Sequence, residues 1–246
     1  MNKIKTLKNE ITSIFKDCSM SEAERLSLCF SLFIDFSLLA SLETMRANKK
    51  YISNKEIFSD YLTSIKKEFL DVNALFNSSL LYFDLVKENV PFEDVLTELY
   101  EELVLTNKHG NGLAQYFTPP DISNFLAEIS SADLVANASL RTPMLIDDPC
   151  CGSASLVIAP LKHAYARKPE ALAYINVVIN DIDAKALKAA CLQIFANMTT
   201  HKIELYSVEA YNANIITQYK KPGYLFLDYQ SKLKSVNEMF SIDNIL

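Results

Sequence analysis

At 246 residues, half of them hydrophobic and 22% charged, the chain has room for one large or two modest globular domains and is too apolar for extended disorder. A formal net charge of -6 and a pI near 5.2 exclude a broad basic surface that grips phosphates without specificity, so any contact with nucleic acid needs a local patch or a partner. Five cysteines, of which only Cys150 and Cys151 are adjacent, fit neither a disulfide framework nor a paired Cys/His zinc site, which points to a reducing, cytoplasmic setting.

The N-terminus reads Met1-Asn2-Lys3-Ile4-Lys5 and then carries Asn9-Glu10 where a secretory signal has its apolar centre, so no export is expected. Residues 1–108 hold no strong strand signal and no glycine, and they predict a helical N-terminal domain. Ser19 or Ser21 can cap a helix in which Leu26, Cys29, Phe30 and Phe33 recur at helical spacing. The apolar run from Leu26 to Leu42 is shorter than the roughly 20 residues of a membrane span and includes Asp35 and several serines, so it reads as a buried helix. Ser53-Asn54-Lys55-Glu56 opens another helix, with Phe58, Tyr61, Leu62 and Ile65 on one face, and Pro91 suits the first turn of the next.

Composition changes at Lys108-His109-Gly110-Asn111-Gly112, where two of the four glycines fall together as a linker or flexible loop, and an α/β domain is expected over 109–246. A helix over Asp121 to Ile129 precedes a strand over Met144 to Asp147 and a helix from Ala154 to Arg167. A strand Ile175 to Ile179, a helix Ala184 to Asn197 and strands Lys202 to Tyr206 and Tyr224 to Leu227 follow. Strands alternating with helices of this length predict parallel pairing through right-handed crossovers.

The sharpest local feature is Asp148-Pro149-Cys150-Cys151-Gly152-Ser153, set between the apolar run Met144-Leu145-Ile146 and a helix-compatible stretch. A strand-to-helix junction of this kind holds nucleotide-like ligands in open α/β sheets, because glycine lets the backbone approach and the helix start offers unpaired N–H groups. Cys150-Cys151 could host a reactive thiol there, or simply supply small residues to a tight turn. His109, His163 and His201 show no ligand spacing with one another or with the cysteines, so no metal site is expected. Neither a Walker loop nor a Gly-x-Gly-x-x-Gly fingerprint occurs, which weakens the alternative of a nicotinamide- or nucleotide-binding module.

Four pieces occur in a telling order: Gln115-Tyr116-Phe117-Thr118-Pro119-Pro120, the Asp148 to Ser153 loop, Asn180-Asp181-Ile182-Asp183, and Val208-Glu209-Ala210. Together they resemble the S-adenosylmethionine-dependent DNA adenine N6-methyltransferases over about residues 110 to 230, especially the methylation subunits of type I restriction-modification systems and short plasmid- or phage-borne relatives. The resemblance implies a Rossmann-like methyltransferase sheet, S-adenosyl-L-methionine as cofactor and DNA as substrate. It sets Asp148 beside the methionine end of the cofactor, with Pro149, Cys151, Gly152 and Ser153 forming the loop beneath. Asp181 then takes the ribose hydroxyls, Ile182 the adenine face and Glu209 the adenine amino group, while Tyr116, Phe117 and Thr118 fold over the methionine end.

Departures from the family pattern sharpen the expectations. The family writes Gly-Gly where this chain has Ala154-Ser155, and a positive φ at either position costs on the order of 1 kcal/mol or more, enough to weaken cofactor binding. The signature Asn/Asp-Pro-Pro-Tyr/Phe after the fourth strand is replaced by Asp228-Tyr229-Gln230-Ser231, and the one Pro-Pro pair is Pro119-Pro120. Asp228 and Tyr229 are either a degenerate hydrogen-bond acceptor and base-stacking platform or the solvent-facing end of a strand. A sheet shorter than the family's seven strands leaves an open edge, which a partner subunit, self-association or the N-terminal helices would cover. Two functions follow: methyl transfer to adenine in DNA, alone or with a partner subunit, or a catalytically inactive interaction or regulatory protein of a restriction-modification assembly.

Overall fold

Helices at the N-terminus follow the apolar spacing. α1 (Lys3–Ser13) buries Leu7 and Ile11, and α2 (Glu22–Ala47) buries Cys29, Phe30, Phe33, Leu38 and Leu42. Ser21, of the two expected caps, starts α2 through a capping box, in which its side chain accepts from the Glu24 N–H and the Glu24 carboxylate accepts from the Ser21 N–H. The structure, a computed structural model, describes residues 3–17, 19–48, 50–55, 57, 65–105 and 118–239. By length and composition α2 could cross a membrane, yet 61% of its most apolar window is buried inside the protein, where it packs on α1, α3 (Val72–Glu88) and α7 (Ala184–Thr200).

Tyr51–Asn54 forms strand β1, which corrects the expectation of a helix opening at Ser53 and of an N-terminal region without strands. The short segment pairs antiparallel with β5 (Leu225–Gln230), from Tyr51 opposite Gln230 to Asn54 opposite Leu227. Backbone groups satisfied by that ladder outweigh the local capping tendency of Ser53 and Asn54. Phe58, Tyr61 and Leu62 lie outside the described residues, as does the expected linker at Lys108 to Gly112. Pro91 and Phe92 form a turn instead of starting a helix; α4 (Thr97–Tyr100) begins later and runs into a π-helical turn, Glu101–Leu105.

The α/β part comprises α5 (Pro120–Asn137), β2 (Met144–Asp148), α6 (Ser155–Arg167), β3 (Ile175–Asp181), α7, β4 (Ser207–Asn212), β5 and α8 (Lys232–Met239). Its five-stranded sheet has the order β1-β5-β4-β3-β2. β2, β3 and β4 are parallel, but β5 runs antiparallel to β4, which corrects the expectation of parallel pairing throughout. Between β4 and β5 the chain makes turns and one 3-10 turn, Pro222–Tyr224, with no crossover helix, so it returns in the opposite sense. The strand expected at Lys202 to Tyr206 begins at Ser207 instead: Lys202 takes φ 56° in the turn after α7, and Val208 and Ala210 are the residues that reach the core.

A single buried cluster joins Leu7, Phe33 and Tyr82 of the N-terminal helices to Leu187 and Ile194 of α7 and to Val177, Ile179 and Leu227 of the sheet. Helix α7 covers the face bearing Val177 and Ile179, and α2 packs on α7. Val178, Tyr211 and Ala213 form a smaller cluster on the opposite face with Tyr219, Tyr224 and Leu225. The edge strands are β1, which pairs along β5, and β2, where Leu145 is 52% exposed.

Candidate functional site

Asp148 ends β2 and pairs in register with Ile179, so Asp181 lies one pleat further along β3 on the same sheet face. Two carboxylates therefore reach the same end of the sheet from adjacent parallel strands. The loop after β2 is tied to them. The Gly152 N–H donates to Asp181 Oδ2 at 2.8 Å, the Asp183 N–H to Asp181 Oδ1 at 2.8 Å, and the Cys150 N–H to Asp148 Oδ1 at 3.1 Å. Asn180 fixes the loop from below: its C=O accepts the Cys151 N–H at 2.8 Å and its Nδ2 donates to the Pro149 C=O at 2.8 Å. Gly152 sits at φ 54°, a conformation that favours glycine, and is the point where backbone meets the Asp181 carboxylate.

Burial raises the pKa of both Asp148 and Asp181, and the Asp181 charge adds to the rise at Asp148. Asp181 is 8% exposed while its neighbour Ile182 is 54% exposed, an acid set into the surface beside an apolar shelf. Asp183 caps α7 by accepting the Lys185 N–H at 2.9 Å and also receives the Tyr100 hydroxyl at 3.0 Å. Tyr100 packs edge-on against Phe30 of α2.

Ala154 takes φ 78° and ψ 25° at the start of α6, and no side chain caps that helix. The strain that the Ala154-Ser155 departure foretold thus falls on Ala154, while Ser155 is already helical. Ala154→Gly is expected to stabilise the protein by about 1 kcal/mol, net of the small buried methyl it gives up, read as a shift in the denaturation midpoint. A loss of stability would show that methyl packing outweighs the backbone strain.

Thr118 opens onto a cleft of about 370 Å³ that Asp94, Thr97, Pro119, Ser155 and Lys162 also line. Tyr116 and Phe117 lie outside the described residues. Sequence reasoning missed the polar core beside this cleft. Gln193 and Asn197, one helical turn apart on α7, take the backbone N–H groups of Phe92, Val95 and Leu96, and Gln193 Nε2 donates to the Ser153 C=O at 2.9 Å. Two amides one helical turn apart, both among the buried residues of this helix, were the available signal.

The remaining site candidates are not brought to this place. Glu209 lies inside β4 opposite Val178, on the sheet face away from Asp181, where it accepts the Tyr211 hydroxyl at 2.8 Å. Asp228 lies opposite Glu209 inside β5, three strand spacings or roughly 14 Å from β2. Tyr229 is 0% exposed and packs against Phe195 with ring centroids 6.0 Å apart, so neither the stacking platform nor the solvent-facing strand end describes it. Among the described residues no three of His, Cys, Asp and Glu are grouped as metal ligands. A family model described as N-6 DNA Methylase matches residues 92–236, from the Phe92 turn into α8. No curated protein matches the chain.

Proposed function

For a chain that belongs to the N-6 DNA methylase family, we propose that the end of the sheet carrying Asp148, Gly152 and Asp181 binds S-adenosylmethionine. The observation that carries this reading is the convergence of Asp148 and Asp181 around a glycine-containing helix entry. The residues present fit the group. The Asp181 carboxylate accepts the Gly152 and Asp183 N–H groups, with a weaker contribution from the Ile182 N–H, and keeps acceptor capacity that suits a vicinal diol. Exposed Ile182 offers the adenine an apolar surface, and the uncapped first turn of α6 offers N–H groups to a carboxylate. When bound, the cofactor supplies an electrophilic methyl group on a sulfonium; the work of this chain is to hold and orient it.

Titration calorimetry should show S-adenosylmethionine binding that Asp181→Ala weakens at least about tenfold, or about 1.4 kcal/mol. Undiminished binding in the variant would remove the ribose assignment. Ionised carboxylates are the acceptors, and both are raised above the ordinary 3.8, so affinity should decline as pH falls at values where an exposed aspartate is still charged. Without ligand the sign is opposite: the folded state holds these protons more tightly than the unfolded chain, so stability falls as pH rises from 3.8 through the raised values. An affinity that follows an unshifted aspartate titration would contradict the site.

The burial of Tyr229 and the antiparallel course of β5 favour a second reading for the chain by itself, a methyltransferase-fold protein that binds cofactor but transfers no methyl group. Methyl transfer to adenine N6 in DNA then requires a partner subunit of a restriction-modification assembly, consistent with a net charge of -6 that offers no general grip on DNA. A tritiated-methyl assay on mixed-sequence DNA, with and without added subunits, separates the two. Incorporation by the isolated chain would end the second reading.

A further inference from the structure

We propose that Thr97 is a positioning residue for the loop that enters α6, a role that rests on the assignment of that loop to S-adenosylmethionine. The Thr97 hydroxyl donates to Asp94 Oδ2 at 2.7 Å, and the Ser155 hydroxyl donates to the same oxygen at 2.8 Å. Thr97 Oγ1 also lies 2.7 Å from Ser153 Oγ. Since the Thr97 proton is directed at Asp94, Ser153 is the donor in that pair, and the Thr97 oxygen is its acceptor. Asp94 Oδ1 is held in turn by the Thr97 N–H at 3.1 Å and by Gln193 Nε2 at 3.2 Å. Ser153 is 0% exposed and Gln193 1%, so water does not replace the bond between Ser153 and Thr97, whereas Asp94, Thr97 and Ser155 border the cleft.

The geometry makes the turn Phe92–Thr97 part of the cofactor site. Ser153 and Ser155 flank Ala154, the residue in left-handed backbone, and Gly152 precedes them with its N–H on Asp181. A strained turn keeps one conformation only where its surroundings over-determine it, and two side-chain hydroxyls anchored on one threonine and one aspartate do so here. Phe92, itself at φ 63°, is fixed through its N–H by Asn197 at 2.6 Å, so the anchor is rigid in its own right.

Thr97→Val keeps the shape and removes the hydroxyl, while Thr97→Ser keeps the hydroxyl. Hydrogen exchange in the ligand-free protein should quicken about tenfold at the Cys151, Gly152 and Ala154 amides in Thr97→Val, with the amides of β3 and α7 unchanged, and Thr97→Ser should restore the original rates. The dissociation constant for S-adenosylmethionine should rise about tenfold in the valine variant and recover in the serine variant. Unchanged loop exchange, or an equal quickening through β3 and α7, or a serine variant that behaves like valine, would overturn the proposal. Should Thr97→Val not fold, Ser155→Ala removes the other hydroxyl on Asp94, and the same local quickening is required of it. Loop exchange that responds as stated in a protein that binds no S-adenosylmethionine would overturn the ligand assignment and leave the positioning role intact; intact binding with an unresponsive loop would do the reverse.

Discussion

Lys188→Met is expected to lower the stability of the protein by about 3–5 kcal/mol, because it breaks a buried ion pair from one side only. Asp35 is 1% exposed and Lys188 is 7% exposed, and their Oδ1 and Nζ atoms lie 3.0 Å apart between α2 and α7. Lys188 also donates to the Ile57 C=O, so the ammonium ties three segments together. Removing it takes away the ammonium that faces the buried Asp35 carboxylate, at a junction of α2 and α7 that Ser27, Ser31, Asp183 and Lys185 also line. The double variant Asp35→Leu, Lys188→Met removes both charges and should recover most of the loss, because well-packed apolar side chains often match or exceed a buried ion pair. Denaturant titration of the two variants beside the original protein measures this directly. A single variant that loses less than about 1 kcal/mol, or a double variant no more stable than the single, would show that the pair is solvated and contributes little.

The same pair explains why α2 is legible in the sequence and its surroundings are not. Spacing of Cys29, Phe30 and Phe33 and the Ser21–Glu24 box are local signals, and the helix follows them. Asp35 in the middle of the run argues against lipid, but its partner is 153 residues away and no local pattern names it. The strand-loop-helix of Asp148 to Arg167 is legible for the same reason that α2 is: apolar run, turn residues and helix start are contiguous. Strand β1 is not, since four residues of ambiguous propensity become a strand only because β5 offers an edge. Glu209 shows the limit of motif spacing. It lies in a strand beside β3, yet with a two-residue side-chain period its register against Val178 turns it to the face opposite Asp181. Ala154 stands out by its departure from glycine, whereas the Asp94–Thr97–Gln193 group, spread over about 100 positions, requires the fold to become visible.

Tyr229→Ala should cost about 3–5 kcal/mol, while Tyr229→Phe should stay within about 1 kcal/mol of the original protein. The ring is fully buried against Phe195, so its deletion opens a cavity between β5 and α7. The hydroxyl has no hydrogen-bond partner among the described residues, and burial pushes its pKa up to about 12, so its removal leaves no orphaned group behind. A tyrosine used to stack a flipped base would show the reverse ordering of demands: exposure of the ring and tolerance of its loss in the folded core. Turning the ring outward from this strand would forfeit the same packing that the alanine variant loses, a cost that binding one base, worth about 1–3 kcal/mol by stacking, does not cover. Asp228 beside it is also raised, by burial first and then by Glu209 across the strand pair, which fits two acids sharing a sheet face and not an acceptor held ready for an amino group. Thermal or denaturant unfolding of the two Tyr229 variants, together with the methyl-incorporation assay, decides the matter. An alanine variant that keeps its stability but loses methyl transfer would return Tyr229 to the catalytic centre, because only a ring used outside the core packing could produce that split.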